Sequence, residues 1–185
     1  AISDPKKIEP LPDLDFNIKA GNMLVGARTP DEIDIASDGL LIADDNSSQA
    51  RESSQLVKAA YSHFRQAQEA DDAAAVKACR TRLKSVLEKA RAETNQQYYA
   101  IEKRKSSFDE WVLGTRPFHW FIEFPEVFER DGFDVVIGNP PYIQKKNITE
   151  YSYTGFETDA LPDIYAPCTE RAAQITGPEG RLALI

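Results

Sequence analysis

The sequence predicts an α/β chain: a parallel strand–helix–strand unit with an antiparallel helical hairpin inserted ahead of it. Three observations lead there. Phe133-Asp134-Val135-Val136-Ile137-Gly138 carries a short β-branched run, the pattern of a strand buried on both faces. Residues 161–185 then read helix, turn, strand, which completes a crossover between parallel strands. Residues 50–113 hold apolar residues at helical spacing; no proline falls between Pro30 and Pro117, and Gly39 is the sole glycine between Gly26 and Gly114.

In chain order, residues 1–17 contain Pro5, Pro10 and Pro12 and read as an extended lead-in. A short strand is expected through Ile18, followed by a Gly21-Asn22 turn. Residues 30–50 are acidic and polar, a surface loop interrupted by Leu40-Leu41-Ile42, which suits a short strand. The first helix is expected to present Leu56, Ala59, Ala60, His63, Phe64 and Ala67 on one face. Ala70-Asp71-Asp72 breaks the pattern and offers an N-cap. A longer second helix continues through Val76, Cys79, Leu83, Val86, Leu87, Ala90, Gln97 and Ile101 to Phe108. Its Arg and Lys residues alternate with Glu, which is the pattern of a solvated face. Residues 147–162 are a polar loop, Leu161-Pro162-Asp163-Ile164-Tyr165 leads into a helix, Gly177-Pro178-Glu179-Gly180 is a turn, and Arg181-Leu182-Ala183-Leu184-Ile185 starts a second buried strand.

The chemistry concentrates just past the first strand, in Asn139-Pro140-Pro141-Tyr142. Each proline fixes its own φ and restricts the residue before it, so Asn139 and Pro140 are held extended. In open parallel sheets that end of a strand is where ligands bind. The Asn139 side-chain oxygen and the Pro140 carbonyl are candidate acceptors for the two N–H bonds of an aromatic amine. Such an amine is a poor nucleophile because its lone pair is delocalised, and two acceptors favour the geometry in which nitrogen attacks. Tyr142 can stack on a planar substrate. This is positional and electrostatic catalysis. The bland alternative is that two prolines merely stop a strand.

This motif after an apolar strand resembles that of the adenosylmethionine-dependent amino-methyltransferases. With Pro117-Phe118-His119-Trp120 and Phe124-Pro125-Glu126-Val127-Phe128 upstream, the chain is most similar to large adenine-specific DNA methyltransferases of bacterial restriction-modification and phage-defence systems, some fused to nucleases. The resemblance implies a partial Rossmann-like methyltransferase sheet formed by residues 1–49 and 114–185, with residues 50–113 as the inserted hairpin. It implies catalytic roles for Asn139, Pro140 and Tyr142, with a flipped adenine stacked on the tyrosine. It implies that Asn22, Met23 and Pro141 touch S-adenosyl-L-methionine. For Asn22 an ordinary Gly-Asn turn is an equal alternative. The family's cofactor loop, a stretch like Asp-Pro-Ala-Cys-Gly-Ser-Gly, does not occur in the sequence. The chain is therefore expected to be a central piece of a larger enzyme and inactive alone. Protein-glutamine and ribosomal-RNA methyltransferases carry the same four residues, and a non-catalytic helical interaction module is a third reading.

Composition narrows the partners. The net charge of the 185 residues is −8, whereas free-standing DNA-binding proteins present a basic surface. Double-stranded DNA is thus expected to be held through the full-length protein, on other parts of the same polypeptide. No secretory segment or membrane-length apolar run is seen, so a cytoplasmic setting and no membrane partner are expected. Cys79 and Cys168 lie far apart, and neither they nor His63 and His119 show metal-ligand spacing; no metal is expected. His119, between Phe118 and Trp120, reads as a packed ring.

Overall fold

The computed structural model of the chain describes residues 16–33, 46–101, 106–153 and 155–185. The lead-in before Phe16 and the strand suggested at Leu40-Leu41-Ile42 lie outside the described residues.

Two long helices dominate, α1 (Asn46–Glu69) and α2 (Ala73–Ile101). Between them Asp71 takes a positive φ of 52°, and the Asp72 carboxylate caps α2 by accepting from the Ala74 and Ala75 N–H groups, both at 3.0 Å. The helices run back along one another: Gln97 donates to Gln49 at 2.8 Å and Ser53 to Glu93 at 3.2 Å. The buried stripe of α1 is Ser53, Val57, Ala60, Phe64 and Ala67. Leu56, expected inside, is 53% exposed, and Ala59 and His63 face solvent too. The second helix ends sooner than its periodicity suggests. Ser107 and Glu110 form a capping box that starts a separate helix, α3 (Phe108–Thr115), so Phe108 opens α3.

The segment after Phe16 is not a strand. Residues 18–20 pair with nothing in a ladder, and Ile18 is exposed. The chain runs instead beside residues 116–120 through Asn22 N–H to Arg116 O, Phe118 N–H to Val25 O and Trp120 N–H to Ala27 O, at 2.7–2.9 Å. Gly26 permits this approach: at φ +133° an added Cβ would sit 2.2 Å from the Phe118 carbonyl oxygen.

Two single-turn helices, α4 (Trp120–Glu123) and α5 (Pro125–Phe128), carry an aromatic cluster of Trp120, Phe124 and Phe128 onto Phe133. Phe133 opens β1 (Phe133–Gly138), which pairs in parallel with β2 (Thr176–Leu184); α6 (Tyr165–Ile175) lies between them in sequence. The ladder runs Val135↔Arg181 to Gly138↔Leu184 and breaks before Thr176↔Phe133. Gly177-Pro178-Glu179-Gly180, expected as a turn ahead of the strand, is a bulge within it. Gly180 makes that possible, since a Cβ there would lie 2.6 Å from the Phe133 carbonyl oxygen. Neither strand is buried on both faces: Val135 is 57% and Ile137 73% exposed. Double burial needs a layer on each side, and the described residues supply two strands, α6 and the aromatic cluster.

The core is not divided at the helical pair. One apolar cluster joins Val57, Phe64, Leu83 and Leu87 to Phe16, Ile33, Phe121 and Ile122. A second gathers Leu24, Val25, Trp111, Tyr153, Phe156, Ile164 and Cys168.

Candidate active site

At the carboxyl end of β1, Gly138 O accepts from the Ile185 N–H at 3.1 Å, and the Asn139-Pro140-Pro141-Tyr142 segment leaves the sheet. Pro140 is buried; Asn139, Pro141 and Tyr142 are exposed, Tyr142 to 73%. Among the described residues no group hydrogen-bonds the Asn139 side chain, and no backbone N–H donates to the Pro140 carbonyl. The segment's far end is fixed. Ile143 O accepts from Ile164 N–H at 2.9 Å, and Pro162 O from Lys145 N–H at 2.7 Å. The Tyr142 ring lies near-parallel to Tyr165 (18°, centroids 5.9 Å apart), and its hydroxyl donates to Ile185 O at 2.7 Å. Rigid backbone, two unengaged acceptors and an exposed ring can receive a planar group bearing an amine.

The residues matched to the cofactor lie elsewhere in the packing. Asn22 is half-buried, and its Oδ1 accepts from Leu24 N–H at 3.1 Å. Met23 packs on the second core cluster. No hydrogen bond or ring contact among the described residues joins Asn22 or Met23 to residues 139–142. The link runs through Ile164, which belongs to Met23's cluster and anchors Ile143. Pro141 stands with the motif.

Neighbouring titratable groups are taken up by the fold. Lys145 pairs with Asp159 at 3.5 Å and lies over the Tyr153 ring at 4.7 Å. Cys168 is buried, which pushes its thiol up to about 11 and keeps it protonated. His119 is buried; Nδ1 accepts from Ala27 N–H at 3.1 Å, so Nε2 carries the proton and donates to Asn95 Oδ1 at 3.0 Å. Burial pushes it down to about 3.

Sequence reasoning missed two features. Tyr165 sits against Tyr142, and its one signal was an aromatic residue at the start of a helix. Glu123 is buried and pairs with Lys19 at 3.2 Å and with Nε and Nη2 of Arg91 at 2.5 and 2.6 Å, while Lys19 also donates to the Tyr61 hydroxyl. Burial alone would raise the Glu123 carboxyl, but Arg91 and Lys19 outweigh it and hold it below the usual range. This cluster ties α1, α2 and α4 to the 16–20 segment. A cavity of about 630 Å3 opens beside it, between α2 and that segment; the motif does not line it.

Among the described residues no helix is long and apolar enough to cross a membrane.

The family model of the Eco57I restriction-modification methylase matches residues 30–185. A protein of Methanocaldococcus jannaschii named as a type II restriction enzyme and methyltransferase is 34% identical over 70 residues, which is 38% of this chain and 6% of that protein. The chain thus matches a small part of a much longer relative. No solved structure matches the chain.

Proposed function

The chain belongs to the Eco57I restriction-modification methylase family, and we propose that it carries the base-capturing part of an adenine-specific DNA methyltransferase. The observation that carries this reading is the Asn139–Tyr142 segment: two unengaged acceptors and an exposed ring at the carboxyl end of a parallel strand. A flipped adenine stacks on Tyr142. Asn139 Oδ1 and Pro140 O accept from its 6-amino group, turn the nitrogen lone pair out of conjugation and stabilise the positive charge that develops as nitrogen attacks.

S-adenosyl-L-methionine supplies the methyl group when bound. The chain's residues fit a share of its adenine contacts. Asn22 Oδ1 has one N–H on it, and an amide oxygen accepts two, so one lone pair is available for an adenine amine. Met23 and Pro141 are the accompanying contacts. We assign residues 1–49 and 114–185 to a Rossmann-like catalytic domain and residues 50–113 to an insertion whose body is the antiparallel pair α1 and α2. Double-stranded DNA and the remaining parts of the same polypeptide are the partners, in a cytoplasmic setting. The 185 residues alone transfer no methyl groups.

The test is to express the full-length protein in a host without DNA methylation and to analyse the DNA as nucleosides by mass spectrometry. N6-methyladenine is expected with the wild type and not with Asn139→Ala. N4-methylcytosine, or no modified base with a folded wild-type protein, would refute the reading.

A further inference from the structure

We propose that Tyr165 is a positioning residue that flanks the Tyr142 ring on one side, in near-parallel orientation, and so directs the base to the side turned away from it. This rests on the base-capturing role given to Tyr142 above. The two rings are 18° from parallel with centroids 5.9 Å apart, so their planes are no further apart than that. A base between them would need about 3.5 Å on each side, about 7 Å in all. There is no room for it between the rings, so a base that meets Tyr142 takes the side turned away from Tyr165.

The pair is held by the backbone. Ile143, directly after Tyr142, accepts from the N–H of Ile164, directly before Tyr165. One hydrogen bond therefore brings the backbones that carry the two rings together. Tyr165 is also the first residue of α6, so its Cα moves with the helix. Neither ring is core material: Tyr142 is 73% and Tyr165 37% exposed. An exposed tyrosine is otherwise free to change rotamer, and a ring that must order itself before each capture loses affinity by that entropy. Tyr165 removes that cost before the base arrives.

The experiment uses the full-length protein with Tyr165→Phe, Tyr165→Leu, Tyr165→Ala and Tyr142→Ala. Single-turnover methylation is measured on a duplex containing the site and on the same duplex with an abasic position opposite the target adenine. An aromatic neighbour is expected to be worth about three- to tenfold in rate on the paired duplex. Tyr165→Ala and Tyr165→Leu should both lose that, Tyr165→Phe should keep wild-type rates, and the abasic duplex should restore much of the loss because extrusion there is easy. Recovery by Tyr165→Leu would mean that bulk rather than a flat face is needed, and would overturn the proposal. So would wild-type rates for Tyr165→Ala beside a slow Tyr142→Ala, which leaves base capture by Tyr142 standing. Wild-type rates for Tyr142→Ala would remove the base-capturing reading itself, and this proposal with it.

Discussion

Glu123 and Asn139 are both polar residues at the end of a short element, and their surroundings are opposite. Glu123 is buried at the end of α4, with Lys19 and Arg91 bonded to it. Asn139 is exposed at the end of β1, and no group among the described residues bonds its side chain. Around Glu123, Arg65 forks onto Glu126, Lys58 reaches Glu129, and Ser54 donates to Phe121 O. That region uses its polar capacity to hold helices together. The motif region keeps its capacity unspent on a stiff backbone, the arrangement expected of groups reserved for a ligand.

Substitutions should separate the two regions. Asn139→Ala is expected to slow single-turnover methylation by the full-length protein by about a hundredfold or more. The denaturant midpoint should stay where it is, because nothing in the fold depends on that amide. A shifted midpoint with an unchanged rate would reverse the comparison.

Glu123→Ala should do the opposite. It leaves the buried Lys19 ammonium without its carboxylate and removes both Arg91 contacts. Breaking a buried pair costs about 3–5 kcal/mol, and the lower end applies because the Arg91 side chain is 43% exposed. Denaturant titration should show that loss, while the methylation rate per folded molecule holds. Residues 50–113 also share an apolar core with the segments on either side of them. Deletion of 50–110 would strip Val57, Phe64, Leu83 and Leu87 from Phe16, Ile33, Phe121 and Ile122, so the remainder is expected to lose its fold along with any cofactor binding.

A pH dependence sharpens the contrast further. His119 belongs to the saturated region and titrates at about 3 folded against 6.5 ordinarily. Below about pH 6.5 the unfolded chain takes a proton that the folded chain refuses until about pH 3, so stability present above that window is lost as pH falls through it. His119→Gln keeps an acceptor for Ala27 and a donor for Asn95 without the charge. The stability difference between wild type and this variant should move in the variant's favour between about pH 7 and pH 4. Parallel curves would show that His119 is not the group involved.

What the sequence made legible follows from where the signal was local. The Val135-Val136-Ile137 run and the prolines after it place β1 and the motif without tertiary information, and the α2 stripe from Val76 to Ala90 reads in phase. On α1, Ala60, Phe64 and Ala67 are buried as their spacing reads, but Leu56, Ala59 and His63 face out, and Val57 and a polar residue, Ser53, bonded to Glu93, take the buried positions nearer the helix start. Ser107 and Glu110 were a readable start signal, hidden by the apolar period running on from Ile101 to Phe108. The Glu123 cluster could not be read at all: Lys19, Tyr61, Arg91 and Glu123 are scattered over the chain and look like ordinary surface residues until the fold brings them together.

The finest division between the regions lies within one residue. In the role proposed above the Tyr142 ring meets the ligand, while its hydroxyl is engaged with the fold, donating to Ile185 O at 2.7 Å. Tyr142→Phe keeps the ring and removes that bond. A hydrogen bond at an exposed position is worth about 0.5–1.5 kcal/mol at most, and water can take over the carbonyl. The global midpoint should therefore not move. What is lost is one of two restraints on the ring; the stack on Tyr165 remains. A rate reduction of about two- to fivefold on a paired duplex is expected, well short of the effect of removing the ring, for which stacking is worth roughly 1–3 kcal/mol. Phe matching Ala in single-turnover assays would mean that the hydroxyl, not the ring, is what the base meets, and the stacking role would have to be given up.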